Sequence, residues 1–296
     1  MPKIRYKDKK FNANTLEIIQ TAESIVTQYQ DMGFNLTVRQ LYYQFVARSI
    51  FENTEKNYKR LGKIISDARR AGMIDWNAIE DRTRYIRKLS SWDNPQDILE
   101  SARSSYHRDL WVDQPKRIEV WIEKDALVGV IENICNKNDI PFFSCRGYVS
   151  DSEMWVAAMR HREHITHRQP VIVLHFGDHD PSGIDMTRDI GNRLEMFARS
   201  GSIEVRRIAL TMQQIKELKP PPNPAKITDS RYNGYVDKYG KESWELDALE
   251  PQYIENLIKE QIDSERNNEQ WQNAIDGQET ERQQIEDVIE RWNELF

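Results

Sequence analysis

The chain has 296 residues, 39% apolar and 30% charged, a balance that suits a globular protein with room for two domains. No apolar stretch approaches the roughly 18 residues of a membrane span, and no secretory signal is visible behind Met1. Only Cys135 and Cys145 occur, which argues against a disulfide framework or a cysteine zinc site and suits a reducing cytosol.

The net charge of −6 hides an asymmetry: residues 1–117 hold 21 Lys/Arg against 15 Asp/Glu, and residues 118–296 hold 21 against 33. A basic amino half suits a polyanion such as nucleic acid, or is simply a solvated surface.

The spacing of Leu16, Ile19, Ala22, Ile25 and Val26 predicts a helix from Asn12 to about Asp31, ended by Gly33. Thr37 caps a second, to about Arg48, and Asn53 or Thr54 a third, to about Ala71 before Gly72. Two short helices around a brief turn resemble a helix-turn-helix. On the third, Lys56, Lys59, Arg60 and Lys63 flank the apolar face and are candidate DNA contacts. A mixed stretch with Pro95 and Pro115 reads as a linker over 91–116.

Strands are then predicted at 117–123, 141–146, 170–177 and 203–210, with helices between them from Asp125, from Ser150 to about Ile165, and from Gly183 to Arg199. This alternation means an α/β unit with a parallel, Rossmann-like sheet over 117–215. Lys219–Pro224 is a rigid break. A loop-like stretch, 225–240, precedes an acidic helical tail, which packs on its own chain or on a partner. Its apolar phases are Ile254, Leu257, Ile258 and Ile262, then Ile285, Val288, Ile289, Trp292 and Leu295.

Glu123, Asp178 and Asp180 each stand where an apolar strand stops, and open parallel sheets gather chemistry there. Like charges so placed call for a divalent cation, and oxygen donors favour magnesium, with manganese as a substitute. Each acid could equally be a helix cap or an ion-pair partner. Glu245 and Asp247 read as packing residues before metal ligands. His179 reads as a solvated ring. His161, His164 and His167 resemble a zinc face only superficially, because Arg160, Arg162 and Arg168 crowd them.

The strand-end glutamate, with Lys124 beside it, and the Asp178-His179-Asp180 pattern resemble the TOPRIM domain of topoisomerases, primases and some nucleases. Glu123-Lys124-Asp125-Ala126, Arg146-Gly147-Tyr148 and Asp178–Asp185 look like the topoisomerase VI A subunit and its meiotic double-strand-break relatives. Arg39-Gln40-Leu41-Tyr42-Tyr43 resembles their Arg-x-x-Tyr-Tyr signature. The resemblance implies a winged-helix-like DNA-binding domain over residues 1–90 ahead of the TOPRIM domain, magnesium on Asp178 and Asp180, Glu123 as an acid–base group or a further magnesium ligand, a nucleophilic Tyr43 that stays linked to a 5′ end, DNA as partner, and a homodimer. It also implies a separate ATPase or accessory subunit and a cytoplasmic, nucleoid-associated setting. Ser182 departs from the usual aromatic, and the chain is short for that subunit.

Helical geometry gives its own reading. Val38, Leu41, Tyr42 and Phe45 share one apolar face, so Tyr42 belongs to the core. Tyr43 points elsewhere, and Arg39, one turn earlier, would favour its phenolate and hold a phosphate. The alternatives are a hydrolytic TOPRIM nuclease of phage defence or a mobile element, and a DNA-binding subunit without catalysis.

Overall fold

The computed structural model describes residues 3–33, 35–79 and 89–295, with side chains to residue 291. The first helices begin where capping residues stand. Asn12 caps α1 (Ala13–Asp31), Thr37 and Gln40 close a reciprocal box on α2 (Val38–Ala47), and Thr54 caps α3 (Glu55–Arg70). Their apolar stripes meet in a core of their own, with Ile19, Ile25, Leu41, Phe45, Leu61 and Ile65. The expected winged helix is met only in its helices. Among the described residues this region has isolated bridges, Arg5 with Ala71 and Leu36 with Ile79, and no wing hairpin. Residues 80–88, at the end of the predicted domain, lie outside the described residues.

After α4 (Pro95–Ser105), Leu110 and Trp111 are buried in a second core. The Trp111 indole donates to the Asn138 carbonyl at 2.7 Å, which ties the predicted linker to the sheet unit. Strands and helices then alternate: β1 (Arg117–Ile122), α5 (Val128–Lys137), β2 (Phe142–Ser144), α6 (Asp151–Thr166), β3 (Val171–Phe176), α7 (Pro181–Ala198), β4 (Ile203–Ala209) and α8 (Met212–Leu218). The four strands are parallel, in the order β2-β1-β3-β4. Helices cover both faces of such a sheet, so β3 is buried at every residue. The chain leaves β1 first to one side and then to the other. The crevice this creates lies at the carboxyl ends of β1 and β3.

Beyond the proline break, β5 (Asn223–Pro224) pairs antiparallel with β6 (Glu242–Ser243). Between them α9 (Tyr232–Tyr239) corrects the predicted loop. Its buried Tyr235 docks on His179, a contact no local pattern announces. α10 (Pro251–Glu265) buries Ile254, Ile258 and Ile262 in the sheet core. α11 (Asn268–Leu295) follows, with Trp271 and Ala274 in the same core and Val288 exposed. The Trp292 and Leu295 side chains lie outside those described. Among the described residues, no helix is long and apolar enough to cross a membrane.

A side chain at Gly183 would put its Cβ 2.2 Å from the Asp178 carbonyl oxygen. Only glycine lets α7 start this close to the end of β3. Gly183→Ala is expected to cost roughly 2 kcal/mol or more. Urea unfolding reads this as a lower midpoint; an unchanged midpoint would mean that the turn yields without cost.

Candidate functional site

The sheet ladder brings two distant acids together. The Glu123 amide donates to the Phe176 carbonyl at 2.8 Å, extending the β1–β3 register by one residue. The Glu123 Oε2 then accepts the Asp178 amide at 2.8 Å. Asp178 Oδ1 accepts the Leu246 amide at 2.7 Å, and Oδ2 lies 3.1 Å from Lys124 Nζ. Asp180 caps α7, its Oδ1 accepting the Gly183 amide at 2.6 Å and the Ser182 hydroxyl at 2.9 Å. Behind the turn, the half-buried Arg207 donates through its guanidinium to the carbonyls of Gly177, Asp178, Gly183 and Leu210.

Burial, then the charges of Asp178 and Asp180, push the Glu123 carboxyl up to about 7. Burial raises Asp178 to about 6, with Asp247 adding to it and Lys124 opposing. Two adjacent carboxyls are thus driven toward the protonated form.

The other half of the site is balanced the opposite way. The Lys124 ammonium sits among three carboxylates, at 2.7 Å from Glu245 Oε2, 2.6 Å from Asp247 Oδ1 and 3.1 Å from Asp178 Oδ2. Arg39, reaching in from α2, places Nε 2.6 Å from Asp247 Oδ2 and pairs with Glu245. Against the effect of burial, Lys124 and Arg39 hold the Glu245 carboxyl down at about 2. Lys124, predicted as a nucleic-acid contact, is therefore turned inward.

Tyr43 is buried beside this network, its ring 5.8 Å from the Arg39 guanidinium. A cavity of about 240 Å³ opens there, lined by Arg39, Tyr43, Asn53, Thr54, Tyr58 and Glu245. Burial, then Asp247 and Glu245, raise the phenol well above its ordinary range, with Arg39 opposing. This reverses the expected direction, because two carboxylates absorb the guanidinium charge that was to favour the phenolate.

Tyr42 is a core residue, as its helical phase predicts, and its hydroxyl accepts the Thr54 amide at 2.7 Å. His179 is a correction. It is buried among Tyr235, Tyr239 and Trp244, exchanges two backbone hydrogen bonds with Trp244, and has its pKa lowered by burial to about 4. His161 is buried 3.1 Å from Glu119, apart from the crevice. On α3, Lys56, Lys59, Arg60 and Lys63 are exposed and make no described ion pair with these acids; Lys59 pairs with Glu55, and Arg60 donates to Asn14. No sequence pattern points to Arg207, and only the acids of Trp244–Leu249 hinted at the Glu245 and Asp247 turn.

Five carboxylates (Glu123, Asp178, Asp180, Glu245 and Asp247) thus share three cations: Lys124, Arg39 and Arg207. With all five ionised, two negative charges on hard oxygen donors are left over, which suits one divalent cation. As they stand, no three acidic, histidine or cysteine side chains among the described residues are gathered to hold an ion. No protein-family model, curated protein or solved structure matches this chain.

Glu123 carries an ionisation cost in the fold. Its folded pKa lies above the ordinary carboxylate value, so this cost is absent at low pH and grows as pH rises from about 4.5 to 7. In chelator, Glu123→Gln is expected to raise stability by roughly 1–3 kcal/mol at about pH 8 and by little at about pH 5. Thermal unfolding at both values checks this; equal shifts at the two would remove the electrostatic reading.

Proposed function

We propose that this chain cleaves DNA in a magnesium-dependent reaction, as a TOPRIM protein of the topoisomerase VI A kind. One observation carries the reading. The α2 residues Arg39 and Tyr43 adjoin the Lys124–Asp178 end of the crevice through Glu245 and Asp247, although the sequence separates them by up to 208 residues. The order β2-β1-β3-β4, with acids at the carboxyl ends of β1 and β3, supports the same assignment.

Glu123, Asp178 and Asp180 are the donors that would hold magnesium, and Asp178 would exchange its contact with Lys124 for that role. A bound magnesium supplies charge neutralisation at the phosphate. Arg39 holds the phosphodiester beside Tyr43. The phenol oxygen bonds to phosphorus, its proton passes to a neighbouring carboxylate, and the 3′ oxygen leaves and takes up a proton. The product is a 5′-phosphotyrosyl link. A homodimer with paired cuts belongs to this reading. In the relatives the chain resembles, tyrosine and acids come from different subunits; here α2 rests on its own Glu245–Asp247 turn.

The raised proton affinity of Tyr43 favours a second reading, hydrolysis by water at the same acids. Denaturing gels of end-labelled DNA, incubated with magnesium or manganese, separate the two. The first reading expects a protein-linked product that Tyr43→Phe abolishes and Glu123→Ala reduces at least a hundredfold. Free ends that persist in Tyr43→Phe establish hydrolysis, and intact DNA with every metal and candidate partner removes both.

A further inference from the structure

We infer that the N-terminal segment 3–10 and α3 form one cationic track that takes the phosphate backbone of a nucleic acid. The segment is fastened to the far end of the helix. The Tyr6 and Lys7 amides donate to the Arg70 carbonyl at 2.8 and 3.0 Å, and Arg5 bridges Ala71. The Trp76 indole donates to the Ile4 carbonyl at 3.1 Å, and its ring meets Tyr6 edge-on at 5.5 Å. Gly72, at φ +73°, admits this approach; a Cβ there would lie 3.1 Å from the Arg5 backbone.

The fastening completes a charge pattern. Lys56, Lys63 and Arg70 recur every seven residues on α3, close to two turns, and so lie nearly in line. Lys59, Arg60 and Asp67 fall between them. Asp67, the one acid within that stripe, is met by Lys9 of the segment at 2.5 Å, and Glu55 at the other end is met by Lys59 at 2.7 Å. Residues 3–10 and 55–70 together hold 11 Lys/Arg and 3 Asp/Glu, in a chain whose net charge is −6. Lys7 and Lys10 are exposed on the segment, which runs back alongside the helix from Arg70 to Asp67 and so widens the stripe.

From Lys56 to Arg70 the helix rises about 21 Å, the length of about six base pairs. An anionic membrane is the poorer fit. Interfacial helices sink an apolar face into lipid, and the apolar face of α3 is already used: Leu61, Ile65 and Ala68 are buried in the N-terminal core.

The inference rests on the nucleic-acid reading above but not on cleavage. Its test is fluorescence anisotropy of a labelled duplex of about 20 base pairs with the full chain in EDTA, across about 50–300 mM salt. Lys7→Ala/Lys10→Ala and Lys56→Ala/Lys63→Ala are each expected to weaken binding about 5- to 10-fold at about 100 mM and to lower the log–log salt slope by about 2. If the helix pair weakens binding and the segment pair does not, the track ends at α3 and the inference fails alone. If neither pair matters, or the chain does not bind the duplex, the nucleic-acid reading of this face fails with it. Binding to vesicles rich in phosphatidylglycerol that equals duplex binding, and that both pairs weaken alike, overturns the choice of ligand.

Discussion

The position of the Lys124 ammonium decides how the rest of the molecule can be arranged. It lies within 3.1 Å of Asp178, Glu245 and Asp247, and the Asp247 side chain is wholly covered. A buried carboxylate without a partner costs several kcal/mol, so each of these residues depends on the others being in place. Lys124 comes from the end of β1, Asp178 from the end of β3, and the other two from the turn after β6. Arg39 then ties α2 to the same turn, with Tyr29 on Glu250 and Asn53 on Asn223 beside it. The N-terminal helices have a separate core. Their described hold on this turn is thus made largely of polar and charged contacts, which yield to competing ions more readily than apolar packing does.

That arrangement divides the acids into two electrostatic classes. Glu245 has two cations against it and stays ionised far into acid, whereas Glu123 and Asp178 have too little positive charge for the negative charge they would carry. Arg207 relieves them only at a distance, since its donors are directed to backbone carbonyls, and burial lowers its own pKa to about 10. The pair is at the crevice that the strand order opens. The same division explains Tyr43. Its nearest guanidinium is held by carboxylates, so the phenol meets more negative charge than positive.

Local chemistry made much of the fold legible. Thr37 caps the helix it was predicted to cap, Thr54 proves to be the cap of the pair Asn53 or Thr54, and Asn12 and Ser150 cap the helices predicted to start at them, because an N-cap is decided within four residues. The helix after β3, α7, begins at Pro181 instead of about Gly183, because Asp180 supplies the cap and proline suits the first turn. The acids at strand ends were legible for a similar reason: an apolar run fixes both the strand and its exit. What stayed hidden depends on distant partners. His179 looks solvated beside two aspartates, and only the arrival of Tyr235, Tyr239 and Trp244 buries it. Glu245 and Asp247 looked like packing residues, and their pairing with Arg39 crosses more than 200 residues. The helix at Tyr232–Tyr239 is held through Tyr235, whose hydroxyl donates to the His179 carbonyl at 2.9 Å.

The acidic tail shows how a chain of net charge −6 can still present a cationic face. Several of its carboxylates are engaged with basic residues of their own chain. Glu265 meets Lys116 and Arg206, Glu281 meets Arg108 and the Tyr106 hydroxyl, and Glu286 meets Arg103. These contacts fasten α10 and α11 to the sheet unit and to α4, and they answer part of the tail's charge locally. On α3 the sign is opposite: acids are few, and each is covered by a lysine. Over distances beyond about 8–10 Å, salt screens the remainder of the tail. The local pattern of charge, more than the total, therefore sets the sign that each face presents.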